Sequence, residues 1–139
     1  MSSSGVDSAA WLDTNVIIRF LLNDHPDHSA KARTLIQRAE RGELSLHVPI
    51  YILCETVFVL ESRAYSKSEI SDALSLFLSI PGIHVDNLSL VQTSLTQYRN
   101  MNVDFGDALL YSQCADEGGT VLTFNKRHFS RLGNGWREP

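Results

Sequence analysis

The 139-residue chain carries 12 lysine and arginine residues against 16 aspartate and glutamate residues, which gives it a formal net charge of −4. A chain of this length fits one domain that buries roughly two thirds of its unfolded surface, and no apolar run approaches the roughly 20 residues that span a bilayer. The acidic balance argues against binding nucleic acid through bulk positive charge, although a bound cation or a local basic stripe can still guide a phosphate backbone.

The first half of the chain alternates between predicted strands and helices. We expect residues 1–8 to be a disordered lead or an expression remnant, followed by a single domain over residues 9–139. SAAWLD predicts a buried strand that ends at Asp13, and VIIRFLL predicts a helix directly after it. DHSAKARTLIQRAERGE predicts an amphipathic helix that stops at Gly42, and LSLHV predicts a second strand. Pro49 then opens a long apolar helix, PIYILCETVFVLESRAY, because proline is tolerated in a first helical turn.

The second half continues the alternation. SKSEISDALSLFLSI predicts a helix that Ser66 or Ser68 caps and a Pro-Gly pair ends. IHVDN predicts a third strand, SLVQTSLTQYRNM and DFGDALLYSQCADEGG predict two further helices, and TVLTF predicts the last strand. Since parallel neighbours need crossover connections, this order predicts an α/β layered domain with a mainly parallel sheet.

The two cysteines bear on the cellular compartment. Cys54 and Cys114 lie far apart in apolar stretches and match no metal-ligand spacing. We therefore expect them to be reduced core residues of a cytoplasmic protein, because cytosolic thiols are kept reduced.

Four acidic residues stand out from ordinary surface acids. Asp13 ends the first predicted strand, Asp104 and Asp107 stand at a helix start, and Glu55 is the only charge in the apolar segment PIYILCETVFVL, where an unpaired buried carboxylate is costly. Each has a structural alternative, because Asp13 can be an N-cap, Asp104 and Asp107 can form a capping-box variant, and Glu55 can lie on a narrow exposed face.

One fold could bring these four acids together, because ligands bind beyond the carboxyl ends of parallel strands. Carboxylates so placed repel one another unless a divalent cation lies among them. Oxygen ligands favour Mg²⁺ or Mn²⁺ over zinc. A basic stripe in the tail, NKRHFSRLGNGWR, is either a contact surface for nucleic acid or an ordinary solvated face; its cations are Lys126, Arg127, Arg131 and Arg137.

The chain resembles the PIN-domain proteins, most closely the toxin subunit of VapBC-type toxin–antitoxin pairs. The resemblance rests on WLDTNVIIRFL, on the lone Glu55 in CETVFVL and on DFGDALLYSQCADEGGTVLTFNKRHF. It implies a three-layer α/β/α fold with a mainly parallel central sheet, and a Mg²⁺- or Mn²⁺-dependent endoribonuclease in which metal-activated water attacks a phosphodiester. It also implies a homodimer and a cognate antitoxin protein that inhibits by occupying the substrate groove.

The resemblance assigns roles to individual residues. Asp13, Glu55 and Asp107 match the three metal-binding acids, and Asp104 matches a frequent additional acid. Asn125 falls where many members carry a fourth aspartate, so the resemblance leaves open whether one or two metal ions bind. Thr14 and Asn15 would support the first acid, and Thr123 would supply a hydroxyl after the last strand. The cations that would lie along the RNA are Lys126, Arg127 and Arg131.

Two other functions are compatible with the sequence. A PIN-fold module that binds RNA or protein without cutting is motivated by Asn125 and by the acidic charge. DTNV also resembles the haloacid dehalogenase pattern, in which a nucleophilic aspartate is followed two residues later by a second acid, but Asn15 breaks that pattern. Formation of an acyl-phosphate on Asp13 would distinguish such a phosphatase from a nuclease.

Overall fold

The computed structural model describes residues 9–139, and within that range the chain has five short strands and seven helices. In chain order they are β1 (Ala9–Trp11), α1 (Thr14–Leu22), α2 (Pro26–Glu40), β2 (Ser45–His47), α3 (Ile50–Ser62), α4 (Lys67–Leu78), β3 (Ile83–His84), α5 (Leu88–Met101), α6 (Phe105–Asp116), β4 (Val121–Leu122), α7 (Lys126–Leu132) and β5 (Trp136–Arg137).

These elements fall into two compact units. Of the described residues, the first unit contains 9–65 together with Asp72–Asp86, and the second contains Ser66–Ser71 together with Asn87–Pro139. The predicted lead, residues 1–8, lies outside the described residues. The single domain over residues 9–139 stays a prediction.

A three-stranded parallel sheet in the order β1-β2-β3 organises the first unit. Leu46 is the central residue of the register, aligned with Ala10 on one side and with Ile83 on the other, and it is fully buried. One position further along, Trp11 stacks on His47 with ring centroids 4.8 Å apart. All three strands run in the same direction, so their carboxyl ends share one edge, the edge from which the chain enters α1 at Asp13.

Helix α3 shows how an almost entirely apolar segment divides between core and solvent. Pro49 occupies its N-cap position in extended conformation, which suits a residue that has no N–H to donate. One face of the helix is buried in the core, and it comprises Ile52, Leu53, Thr56, Val57 and Leu60. Tyr51 and Phe58 are exposed at 71% and 69%, so the opposite face of α3 is an exposed strip.

The second unit packs α5, α6 and α7 beside a two-stranded parallel sheet, β4-β5. Tyr98 of α5 is fully buried and meets Phe105 of α6 edge to face, with ring centroids 6.0 Å apart. Lys67 lies over the Tyr98 ring and donates a hydrogen bond to the Val103 carbonyl at 2.9 Å. Phe129 anchors the short helix α7 in this core.

The α/β fold class and the parallel pairing of strands are confirmed, and every predicted strand and helix has a counterpart. Helix α7 and strand β5 were not predicted, because the basic residues of the tail indicated only a charged stripe. The predicted cap at Ser66 is present, since its hydroxyl accepts the Glu69 N–H at 3.1 Å. Neither Cys54 nor Cys114 is in a disulfide, and both are half-buried rather than deep in the core. In the part of the chain that the structure describes, no helix combines the length and the apolar character needed to cross a membrane.

Candidate functional site

Asp13 links strand β1 to helix α1. Its backbone is extended, with φ −87° and ψ 159°, and its Oδ1 accepts the Thr14 N–H at 2.8 Å, so it is the N-cap of α1. The side chain is exposed. A carboxylate has two oxygens and about four acceptor positions, so capping leaves Asp13 able to bind a cation as well.

Glu55 lies on the exposed strip of α3, between Tyr51 and Phe58. The expectation of a costly buried charge is therefore wrong, and the alternative of a narrow exposed face is the observed arrangement. Its Oε1 accepts a hydrogen bond from the hydroxyl of Thr14, which is itself buried. Because Thr14 directly follows Asp13, this hydrogen bond ties the Glu55 carboxylate to the corner that carries Asp13.

Asp104 and Asp107 begin helix α6 in the second unit. Asp104 is the N-cap, and its Oδ2 accepts the Asp107 N–H at 3.2 Å. In a capping box, the Asp107 carboxylate would bond back to the Asp104 N–H. That N–H instead points to Nδ1 of His128 at 3.4 Å. The capping-box alternative is thus correct in making Asp104 the N-cap of α6. It is wrong in expecting the Asp107 carboxylate to accept the Asp104 N–H.

The Asp107 carboxylate is held from helix α7. Its Oδ2 lies 3.2 Å from the amide nitrogen of Asn125 and 3.1 Å from Nδ1 of His128. Asn125 also caps α7, because its Oδ1 accepts the His128 N–H at 3.3 Å. Thr123 stabilises the same turn by accepting the Asn125 N–H on its hydroxyl at 2.9 Å.

His128 was not among the predicted site residues. One signal was present, because His128 stands three residues after a good N-cap residue, Asn125, and therefore faces the same helix start. The helix itself was not predicted, so this position could not be recognised.

Asn15 lies on the exposed side of α1. It lines a groove of about 380 Å³ between α1 and α2, together with His28 and Lys31. Its predicted role in supporting Asp13 stays a prediction.

The predicted RNA-contacting cations differ in how much they are engaged by the protein. Lys126 pairs with Glu138 at 2.9 Å, and this hydrogen bond raises the pKa of the lysine above its ordinary value. Arg131 donates to the Asn102 carbonyl at 2.6 Å. Arg127 is exposed on α7. Phosphate binding by Lys126 would therefore compete with an existing ion pair.

The carboxylate oxygens of the candidate acids are donors of the type that a hard divalent cation prefers. Within residues 9–139, no group of three or more His, Cys, Asp or Glu side chains is arranged to hold a metal. Each unit does present two carboxylates, Asp13 with Glu55 and Asp104 with Asp107. Mg²⁺ is commonly bound through one or two carboxylates while it keeps several waters, so such a pair suits it.

Three comparisons with known proteins bear on this chain. The family model of the PIN domain matches residues 10–135. No curated protein shows significant similarity to the chain. Among solved structures, the chain is similar to one in the crystal structure of VapBC2 from Rickettsia felis bound to a DNA fragment from their promoter, with 16% identity, a TM-score of 0.38, and coverage of 94% of this chain and 98% of that one. A score this low does not establish a common fold.

Proposed function

Because this chain belongs to the PIN-domain family, we propose that it is a divalent-metal-dependent endoribonuclease and the toxin of a type II toxin–antitoxin pair. PIN domains are generally nucleases. The observation that carries the proposal is the family match over residues 10–135, which includes all four candidate acids. Exposure of Asp13 and Glu55 supports it, since a catalytic carboxylate must be accessible to substrate.

Asp13, Glu55, Asp104 and Asp107 would hold Mg²⁺ or Mn²⁺ in the proposed enzyme. The bound ion would lower the pKa of a coordinated water and stabilise the charge that develops on the phosphodiester. The Thr14 hydroxyl restrains the Glu55 carboxylate beside Asp13. In the second unit, the Asp107 N–H fixes the Asp104 carboxylate at the start of α6.

Arg127 is the cation best placed to contact RNA phosphate, because it is exposed on α7, the helix that also carries His128. Lys126 and Arg131 would contribute only by leaving Glu138 and the Asn102 carbonyl, respectively. Because Lys126 and Arg131 are already engaged and the net charge is −4, RNA affinity is expected to be modest.

A cognate antitoxin, a homodimer and a cytoplasmic location complete the proposal. The antitoxin and the dimer rest on the sequence resemblance to VapBC-type toxins, and the location rests on the expectation that Cys54 and Cys114 are reduced. Co-purification with the product of a neighbouring gene, and sedimentation of the chain alone, would test the antitoxin and the dimer separately.

The direct test is cleavage of an RNA pool that contains single-stranded and structured molecules, with Mg²⁺, Mn²⁺ or EDTA. The wild type should cut in Mg²⁺ or Mn²⁺ and not in EDTA, whereas Asp13→Asn and Glu55→Gln should not cut. Glu40→Gln is a matched control, because it neutralises an exposed acid of the same unit that has no assigned role. Cleavage that persists in EDTA or in both site variants would refute the proposal.

A catalytically silent PIN-fold module is the second candidate, because Asn125 brings no negative charge to the position where many family members carry a fourth acid and because the net charge is −4. RNA binding without cleavage in any divalent metal would support this alternative. The family match replaces the haloacid dehalogenase interpretation of DTNV.

A further inference from the structure

Two side chains from helix α7 converge on one oxygen of Asp107. Asn125 Nδ2 lies 3.2 Å and His128 Nδ1 lies 3.1 Å from Oδ2 of that carboxylate. The side chains of His128 and Asp107 are only 29% and 26% exposed. All three residues belong to the second unit, and the contacts therefore form within it.

The orientation of the Asn125 amide follows from both of its partners. Its oxygen accepts the His128 N–H at 3.3 Å, which caps α7, while its nitrogen faces Asp107. A flipped amide would set an acceptor against the carboxylate and a donor against the N–H, so both contacts would become repulsive. Asn125 is therefore a donor to Asp107.

His128 Nδ1 has two polar neighbours that require opposite proton states of this nitrogen. Nδ1 lies between Oδ2 of Asp107, at 3.1 Å, and the N–H of Asp104, at 3.4 Å. A ring nitrogen either donates or accepts, and an ionised carboxylate only accepts. If Nδ1 accepted from Asp104, its lone pair would face those of Oδ2. The shorter contact to a charged acceptor is the stronger one and favours a proton on Nδ1, in which case the Asp104 N–H cannot donate to that atom.

We propose that Asn125 and His128 are positioning residues that hold the Asp107 carboxylate through Oδ2 and leave Oδ1 to bind the divalent cation. The role of the cation rests on the proposed function, whereas the hydrogen bonds do not. At the position where many family members carry a fourth acid, this chain thus supplies a donor that orients the third acid. Partners of this kind change metal affinity by about 10- to 100-fold when they are removed.

The first experiment tests the hydrogen bond without metal or RNA. Long-range ¹H–¹⁵N correlation spectra of the full-length, metal-free chain report which imidazole nitrogen carries the proton, and the spectrum of His128→Asn identifies the His128 signals. The expected result is a proton on Nδ1, which Asp107→Ala shifts to Nε2 while amide dispersion shows an intact fold. An unprotonated Nδ1 in the wild type would overturn the proposal.

The second experiment measures Mn²⁺ affinity by calorimetry. His128→Leu should bind Mn²⁺ about 10-fold more weakly, because Asp107 loses one of its donors. His128→Asn should restore most of the affinity, because its amide nitrogen takes the place of Nδ1. His84→Leu is the control, since it removes an exposed histidine from the first unit. Equal affinities for wild type and His128→Leu, or an equally weak folded His128→Asn, would contradict the positioning role.

The two experiments separate this inference from the proposed function. A chain that neither binds Mn²⁺ nor cuts RNA would refute the nuclease, and the proton position would still decide whether His128 donates to Asp107. A chain that binds Mn²⁺ and cuts RNA with His128 unprotonated at Nδ1 would keep the nuclease and refute the positioning role.

Discussion

The two acidic pairs of this protein are held in different ways. In the first unit, Glu55 comes from the middle of α3 and accepts a hydrogen bond from Thr14. In the second, Asp104 and Asp107 share the first turn of α6, and Asp107 accepts two donors from α7. The first pair therefore depends on one buried hydroxyl, whereas the second is built into a helix start and held from a second helix. Substitutions should reveal this difference.

Removing the best-held carboxylate should have the largest effect. We expect Asp107→Asn to lower metal-dependent RNA cleavage by about 100-fold or more. A neutral amide does not balance the charge of the ion, and it is a weaker metal ligand than a carboxylate. Rate measurements at saturating Mn²⁺ would check this, with Asp116→Asn, at the exposed end of the same helix, as the control. Similar rates for Asp107→Asn and wild type would remove Asp107 from the site.

The dependence of the first pair on one hydroxyl can be broken by Thr14→Val. We expect Mn²⁺ affinity and cleavage to fall by about 10-fold, because Glu55 loses its donor while the buried methyl group is kept. Thr14→Ser should recover activity. Thr34→Val, which removes an exposed hydroxyl from α2, should behave as wild type. An unchanged affinity in Thr14→Val would show that Glu55 needs no such restraint.

The second pair can be weakened without losing a helix cap. Asn125→Asp keeps the capping oxygen, since Asp and Asn cap equally well, but it replaces a donor with a carboxylate facing Asp107. We expect it to lower metal-free stability by about 1 kcal/mol and to regain stability when Mn²⁺ is added. Denaturant unfolding with and without Mn²⁺ would show this. Asn134→Asp adds the same charge away from Asp107 and should not regain stability when Mn²⁺ is added. A regain of stability in both variants would show that the effect of Mn²⁺ is not specific to the Asp107 carboxylate.

The smallest effect concerns a surface ion-pair group in the first unit. Asp24 contacts Arg19 at 3.1 Å and Arg63 at 2.8 Å, and its hydrogen bond with Arg19 holds the pKa of Asp24 below its ordinary value of 3.8. Its stabilisation is therefore present above pH 3.8 and is lost as the pH falls through the lowered pKa. Asp24→Asn should have a slightly lower Tm than wild type near neutral pH, and the difference should vanish in acid. A Tm difference between wild type and Asp24→Asn that grows in acid would contradict a lowered pKa of Asp24.

The helices and strands could be predicted from the sequence more completely than the contacts of the site residues. Alternating apolar segments, Pro49 and the glycines at helix ends specify most elements locally, so the sequence is sufficient to place them. Helix α7 was missed because it has only seven residues and its basic side chains obscure the single buried anchor, Phe129. A short amphipathic segment of this kind becomes stable only through its tertiary contacts.

The acids themselves could be identified from the sequence, but their partners could not. Glu55 stood out because it is alone in an apolar segment, although the structure shows that it is exposed there. Its contact with Thr14 spans 41 residues, and that of His128 with Asp107 spans 21. Such long-range pairs depend on how the helices pack, which periodicity and capping patterns do not determine.

The central claim is that acids from both units serve one metal-dependent nuclease. The most direct measurement is the cleavage rate of one labelled RNA in Mn²⁺ for the wild type, Asp13→Asn and Asp107→Asn, each repeated in EDTA. We expect the wild type to cut the RNA in Mn²⁺ and not in EDTA, and both variants to have lost cutting. Full activity in either folded variant, or equal cutting in EDTA, would contradict it.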